Sequence, residues 1–205
     1  MITYNGSCDQ LLASCGECST RAVKRILEKN PQLINCVAHS GITPLISAAE
    51  HGGSKALIAL LIERGADLHL KDKFGRTALY AGISSLPVAA IELMLSNGAD
   101  PNVETTDSET PLTAAIVSNR TKVFELLLTF GANSNYRCKD GGTAAYYAVY
   151  EKRPSFLRRL IEAGAEVGQP GPRNATLLEW SKDKKSRSMI IRATSAQRDE
   201  RGSQL

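Results

Sequence analysis

Five threonines, Thr43, Thr77, Thr110, Thr143 and Thr176, stand 34, 33, 33 and 33 residues apart. A tripeptide recurs in step with them: Gly65-Ala66-Asp67, Gly98-Ala99-Asp100, Gly131-Ala132-Asn133 and Gly164-Ala165-Glu166. Two independent markers in one register describe a unit repeated along the chain. Each unit reads as a turn, a short helix and a second helix. In the unit around Thr43, Gly41 permits the turn. Pro44 suits the first helical turn, where its missing N–H would have had no partner. Small Ala48 and Ala49 allow close packing, and Gly52-Gly53 ends the first helix. The second, over Lys55–Glu63, carries Leu57, Leu60 and Leu61 at helical spacing. Gly65 then closes it in the left-handed conformation. Such a period predicts an all-α solenoid in which each unit packs mainly on its neighbours.

Thr43-Pro44-Leu45, Thr77-Ala78-Leu79 and Thr110-Pro111-Leu112, with the Gly-Ala-Asp exits, resemble ankyrin repeats. The resemblance implies an ankyrin-repeat solenoid of about six helix-turn-helix units joined by short hairpin-like connections. Residues 1–37 read as a degenerate N-terminal capping repeat. Four ankyrin-like repeats follow at 38–71, 72–104, 105–137 and 138–170, then a C-terminal capping repeat at 171–195 and a disordered tail at 196–205.

The repeats depart from the pattern in specific places. In the third, Gly82 and Ile83 replace the usual Ala-Ala, and Leu86-Pro87 replaces a glycine turn, which predicts an altered inter-helix connection. Leu79 is expected between two repeats. Ser108 stands where a turn glycine is usual, and Ala144-Ala145 replaces Pro-Leu. The outer helices are expected to bury Val23, Ile26 and Leu27, then Val123, Leu126 and Leu127, then Phe156, Leu157, Leu160 and Ile161. A polar second helix over 187–194, with Met189, Ile190 and Ile191, is expected to close the array.

The 205 residues carry 42% hydrophobic content and a net charge of +4, too mild to indicate nucleic acid by itself. The longest apolar run, 56–62, is far below the roughly 20 residues that span a bilayer. The start, Met1 to Gly6, lacks the basic-then-apolar pattern of a secretory signal. The odd count of five cysteines then favours free thiols in a reducing, intracellular compartment, cytoplasmic or also nuclear.

Cys15 and Cys18 form a C-x-x-C with Cys8 and Cys36 nearby, a candidate zinc set. By repeat position, Cys15 and Cys18 instead occupy small buried sites of an inner helix and its turn, so no metal is expected. His39, His51 and His69 face no serine or cysteine in a base–nucleophile pattern. Gly141-Gly142 is a repeat turn, not a phosphate loop. No catalysis and no cofactor are expected.

The resemblance implies that proteins bind on the concave side, at hairpin tips and inner helices. Transferred by position, the tips are His39, Ser40 and Ile42, then Lys73, Phe74 and Arg76, then Thr106, Asp107 and Glu109, then Lys139 and Asp140. The inner-helix positions are Glu50, His51, Tyr147, Tyr150 and Glu151. Among these, Phe74, Arg76, Tyr147 and Tyr150 have the side chains that most often anchor interfaces. The bland alternative has Phe74 folded back on a turn and tyrosines filling the space left by Ala144-Ala145. Mixed tip charge favours a protein over a polyanion. The expected function is a non-catalytic adaptor, inhibitor or targeting subunit, monomeric by itself, with one protein partner. Two alternatives stand beside it: a regulator of nucleic-acid machinery acting through the basic C-terminal region, and a microbial effector or immunity protein.

Overall fold

The computed structural model describes residues 6–202, with side chains over 8–197. Its α-helices are α1 (Gly6–Gly16), α2 (Thr20–Lys29), α3 (Pro44–Glu50), α4 (Lys55–Glu63), α5 (Ala78–Gly82) and α6 (Val88–Ser96). They continue as α7 (Pro111–Val117), α8 (Thr121–Thr129), α9 (Ala144–Tyr150), α10 (Pro154–Glu162), α11 (Leu177–Trp180) and α12 (Lys184–Gly202). Among the described residues there is no strand, and no helix is long and apolar enough to cross a membrane.

The described residues form two compact units, divided between Thr106 and Asp107. In the first, α1, α3 and α5 pack side by side as an inner row, and α2, α4 and α6 as an outer row. In the second, α7, α9 and α11 form the inner row, and α10 packs on α12. Phe124 of α8 and Phe156 of α10 meet edge to face, 4.8 Å between ring centres, and both are fully buried.

The recurring threonines start the inner helices. Each is an extended N-cap residue whose side chain accepts the N–H three residues on: Ile46, Tyr80, Thr113, Tyr146 and Glu179. The cap satisfies a donor that the helix itself cannot. The outer helices end on the recurring glycines. At Gly65 (φ 86°) its N–H donates to Ile62 O, and the Ala66 N–H reaches back to Leu61 O. This paired closure needs a left-handed residue, which glycine supplies without a steric cost. The same two bonds recur at Gly98, Gly131 and Gly164.

The outer-helix faces differ slightly from the expected stripes. The buried sets are Leu57, Ile58 and Leu61, then Val123, Phe124 and Leu127, then Phe156, Leu157 and Leu160. Leu60, Leu126 and Ile161 are half-buried. Leu79 is fully buried, as expected. Ser108 adopts φ 58°, the left-handed angle that Gly41 and Gly75 take in the preceding hairpins.

The altered connection of the third repeat has a packing cause. A Cβ on Gly82 would lie 2.4 Å from Leu86 Cδ1, and Leu86 itself is fully buried. The missing side chain makes room for a leucine from the connecting turn. Pro87 follows as the N-cap residue of α6.

Two expectations are corrected. The cysteines are not all free: Cys8 on α1 is disulfide-bonded to Cys36, while Cys15, Cys18 and Cys138 remain thiols. The 3-10 helix Pro31–Asn35 returns the chain beside α1 and sets the two Cα atoms 6.1 Å apart, inside the bridging range of about 4.4–6.8 Å. The final helix is also longer than expected. α12 continues to Gly202, through the part of the tail read as disordered, and residues 203–205 lie outside the described ones.

Gly82→Ala should cost about 1–3 kcal/mol by overpacking. Combined with Leu86→Ala, the loss in urea unfolding should be smaller than the sum of the single losses; strict additivity would mean the two do not meet. Cys8→Ser should lower stability by about 3–4 kcal/mol without reductant and by almost nothing in excess dithiothreitol.

Candidate functional site

Three of the expected tip residues, Lys73, Phe74 and Arg76, stand on one hairpin of the first unit. The turn around Asp72 closes through Asp72 N–H to Arg76 O and Gly75 N–H to Asp72 O. It is tied to the preceding hairpin by Lys73 N–H to Ser40 O. A Cβ on Gly41 would come within 2.8 Å of Asp72 Cα, so only glycine permits this approach. On the other side, Thr106 N–H donates to Phe74 O.

Asp72 holds the tip from within. Its buried carboxylate accepts the N–H groups of Phe74 and Arg76, both at 2.9 Å, and Arg76 Nε at 2.7 Å. Arg76 then reaches Glu50 Oε1 at 3.1 Å, at the end of α3. Burial disfavours the Arg76 charge, but the Asp72 hydrogen bond and the Asp72 and Glu50 charges outweigh it and raise its pKa. Arg76 and Glu50 are thus half-buried members of a clamp.

Phe74 is the tip's outward group. It is 48% exposed, with Lys73 Nζ 4.9 Å and the Arg76 guanidinium 5.3 Å from its ring centre. Both cations lie within cation–π range. The ring does not fold into the core. Ile42 is half-buried and His39 exposed on the neighbouring hairpin. His51 is exposed at the end of α3, its Nδ1–H donating to Ser47 O.

In the second unit the expected residues divide. Asp107 and Glu109 are exposed at a hairpin. The Tyr147 hydroxyl donates to Asp140 Oδ2 at 3.1 Å; burial first, with the nearby Cys138 and Asp140 charges, pushes its pKa up strongly. Tyr147 therefore braces its own hairpin. Tyr146, not among the expected site residues, is the buried tyrosine, its ring set close to Gly142 and Gly171. It stacks on Tyr150 at 5.9 Å and meets Trp180 edge-on at 5.3 Å. Tyr150 is 58% exposed, and Glu151 is half-buried.

Sequence reasoning passed over two asparagines that staple repeats together. Asn35 Oδ1 accepts Asp67 N–H while its Nδ2 donates to Gly65 O. Asn135 Oδ1 accepts Glu166 N–H. Each binds a glycine-tripeptide exit about one period away, a spacing that would have revealed them. Among the described residues, no three His, Cys, Asp or Glu side chains converge as a metal site. Burial, with the Cys18 charge, pushes the Cys15 thiol up to about 12, which suits a packing role over a reactive one.

A family profile described as ankyrin repeats (3 copies) matches residues 11–105 and 87–170. An Escherichia coli (strain K12) protein, YahD, named an ankyrin repeat protein, is 38% identical over 73 residues. That match covers 34% of this chain and 36% of the relative, about a third of each.

Arg76→Ala should cost about 1–3 kcal/mol in urea unfolding, because it strips a buried carboxylate of its charged partner. Phe74→Ala should leave stability within about 0.5 kcal/mol. Equal losses for the two would place Phe74 in the core instead.

Proposed function

Because the chain belongs to the ankyrin repeat family, we propose that it is a non-catalytic protein–protein interaction module, an adaptor, inhibitor or targeting subunit. Ankyrin repeats generally mediate protein–protein interaction, and the family is typically non-catalytic. The proposed contacts are the hairpin tips and the inner-helix residues beside them, in each unit taken by itself. The observation that carries this reading is Phe74: an exposed ring, flanked by two cations, on a backbone fixed from both sides. Such a group has no packing role in the free chain, and being pre-ordered it lowers the ordering cost of binding. Lys73, His39 and Ile42 extend the face in the first unit; Asp107 and Glu109 provide tip contacts in the second. Arg76 and Glu50 support the face more than they read it.

The repeat limits proposed for this module are 38–71, 72–104, 105–137 and 138–170, between caps at 1–37 and from 171. We place it inside the cell, in the cytoplasm or also the nucleus, as a monomer when unbound. In that reducing setting the Cys8–Cys36 bridge would be open, and oxidation would close it.

The test is affinity capture with the intact protein beside the double variant Lys73→Ala/Phe74→Ala, first shown by circular dichroism to be folded. A partner held by the parent and lost by the variant is the expected result. A partner held equally by both would move the interface off the first unit's tips.

A further inference from the structure

At the far end of the inner helices from the hairpin tips, the second unit carries a different surface. The last residues of α9, Val149 and Tyr150, face Pro154 at the start of α10 and Trp180 at the end of α11. Between them lies a cleft of about 530 Å³, bordered also by Lys152, Lys182 and Asp183. That volume suits a pair of side chains or a small apolar group. Two of its walls are aromatic: Tyr150 and Trp180 lie 6.4 Å apart at 65°, and the tyrosine is 58% exposed. The Trp180 indole N–H is shielded from solvent and has no acceptor among the described residues.

The cleft does not end at its own rim. Lys182 borders it and also borders a groove of about 420 Å³ along α12, with Lys184, Arg187, Ile191 and Arg192. Positions 184, 187, 188, 191 and 192 share one helix face. Beyond it, Lys184 and Arg192 join Arg158 and Lys185 around a second shallow groove. No carboxylate among the described residues borders either groove, and none of these cations makes an ion pair with a described residue. Arg187 is held in place by hydrogen bonds to Leu178 O and Ser181 O. Ile191 is 51% exposed among these charges.

We propose that the Tyr150–Trp180 cleft and the basic face of α12 form one docking site for an acidic peptide segment that carries an apolar or aromatic anchor. The anchor, a proline, leucine or aromatic side chain, enters the cleft between the two rings. The acidic residues that adjoin it lie along Lys182, Lys184, Arg187 and Arg192. From Lys184 to Arg192 the helix rises about 12 Å, which roughly four extended residues span. The whole footprint is therefore on the order of six residues. Charge complementarity supplies the orientation and the anchor most of the affinity.

A nucleic-acid strand fits this surface less well. Strand binding needs stacking rings in series along a basic track. Here the rings are confined to one end, and the apolar group along the track is an aliphatic isoleucine. Asp183 also stands in the cleft wall, its Oδ1 taken by Ser186 N–H, and hydrogen bonds from Ser186 keep it anionic. That charge would repel a phosphate and can accept a peptide N–H.

The inference rests on reading the chain as a protein-binding module, and adds a second site and the chemistry of its partner. The test pans a random dodecapeptide library on the full chain. Selected peptides are then measured by the emission of Trp180, the chain's single tryptophan, which lies in the site. The expected peptides join an apolar residue to two or more acids, shift the Trp180 emission, and weaken steeply with salt. The exposed double reversal Lys184→Glu/Arg192→Glu, shown folded by circular dichroism, should weaken them roughly tenfold or more. Lys73→Ala/Phe74→Ala should leave them unchanged. Failure to select any peptide, selection without acidic bias, or equal binding by the reversed variant overturns the proposal. So does an oligothymidylate that binds the parent more tightly than every selected peptide, which would make the surface a nucleic-acid site. A partner lost on Lys73→Ala/Phe74→Ala, beside a failed peptide selection, would leave the hairpin-tip reading intact while this one falls.

Discussion

The inner helices depend on their threonine caps. An isolated helix in water needs on the order of 12–15 residues before it is even marginally stable. Here α3, α7 and α9 have 7 residues, α5 has 5 and α11 has 4. Nucleation must therefore come from outside the helix. Each threonine supplies part of it by fixing the first turn, and the flanking helices of the inner row supply the rest. Hydroxyl, extended backbone and the N–H three residues on form one geometry, repeated at every period. The hairpins of the proposed contact face hang from these caps, so their positions are set by the same bonds.

The features legible in the sequence were those that local chemistry dictates. The caps, the glycine closures and the apolar outer helices each have a signature within a few residues, and their recurrence fixed the register. What escaped was decided by how side chains pack on one another. Gly82 looks like a defect until Leu86 is seen to occupy its missing Cβ. Cys8 and Cys36 are 28 residues apart, and nothing in either neighbourhood announces a bridge. The stripe of α2 lies where expected, whereas α4 and α8 bury Ile58 and Phe124 in place of Leu60 and Leu126, because the face of a helix is set by its neighbours as much as by its own period. α12 lacks the apolar periodicity from which its length could have been read.

The candidate site shows the same division. Phe74 was legible as an exposed aromatic on a loop, and it is one. Arg76 was chosen because arginine often anchors interfaces, and it proves to be a clamp between Asp72 and Glu50, because two carboxylates met it that the sequence does not place together. Tyr147 and Tyr150 look alike on paper. Three residues apart on one short helix, they face different partners: one hydroxyl is engaged by Asp140, and the other ring stands in solvent beside Trp180. Residue type nominated the candidates, and only packing separated the braced side chains from the exposed ones.

The bridge between Cys8 and Cys36 also decides what kind of object the first hairpin is. It joins the start of α1 to the segment just past α2, so α1, α2 and the 3-10 turn form a covalent ring. With the ring closed, α1 cannot peel from α3 without carrying α2 with it, and the hairpin leaves or stays as one body. With the ring open, α1 can unravel from its own end, a turn at a time. Redox state thereby sets the size of the smallest piece of this end that can come loose.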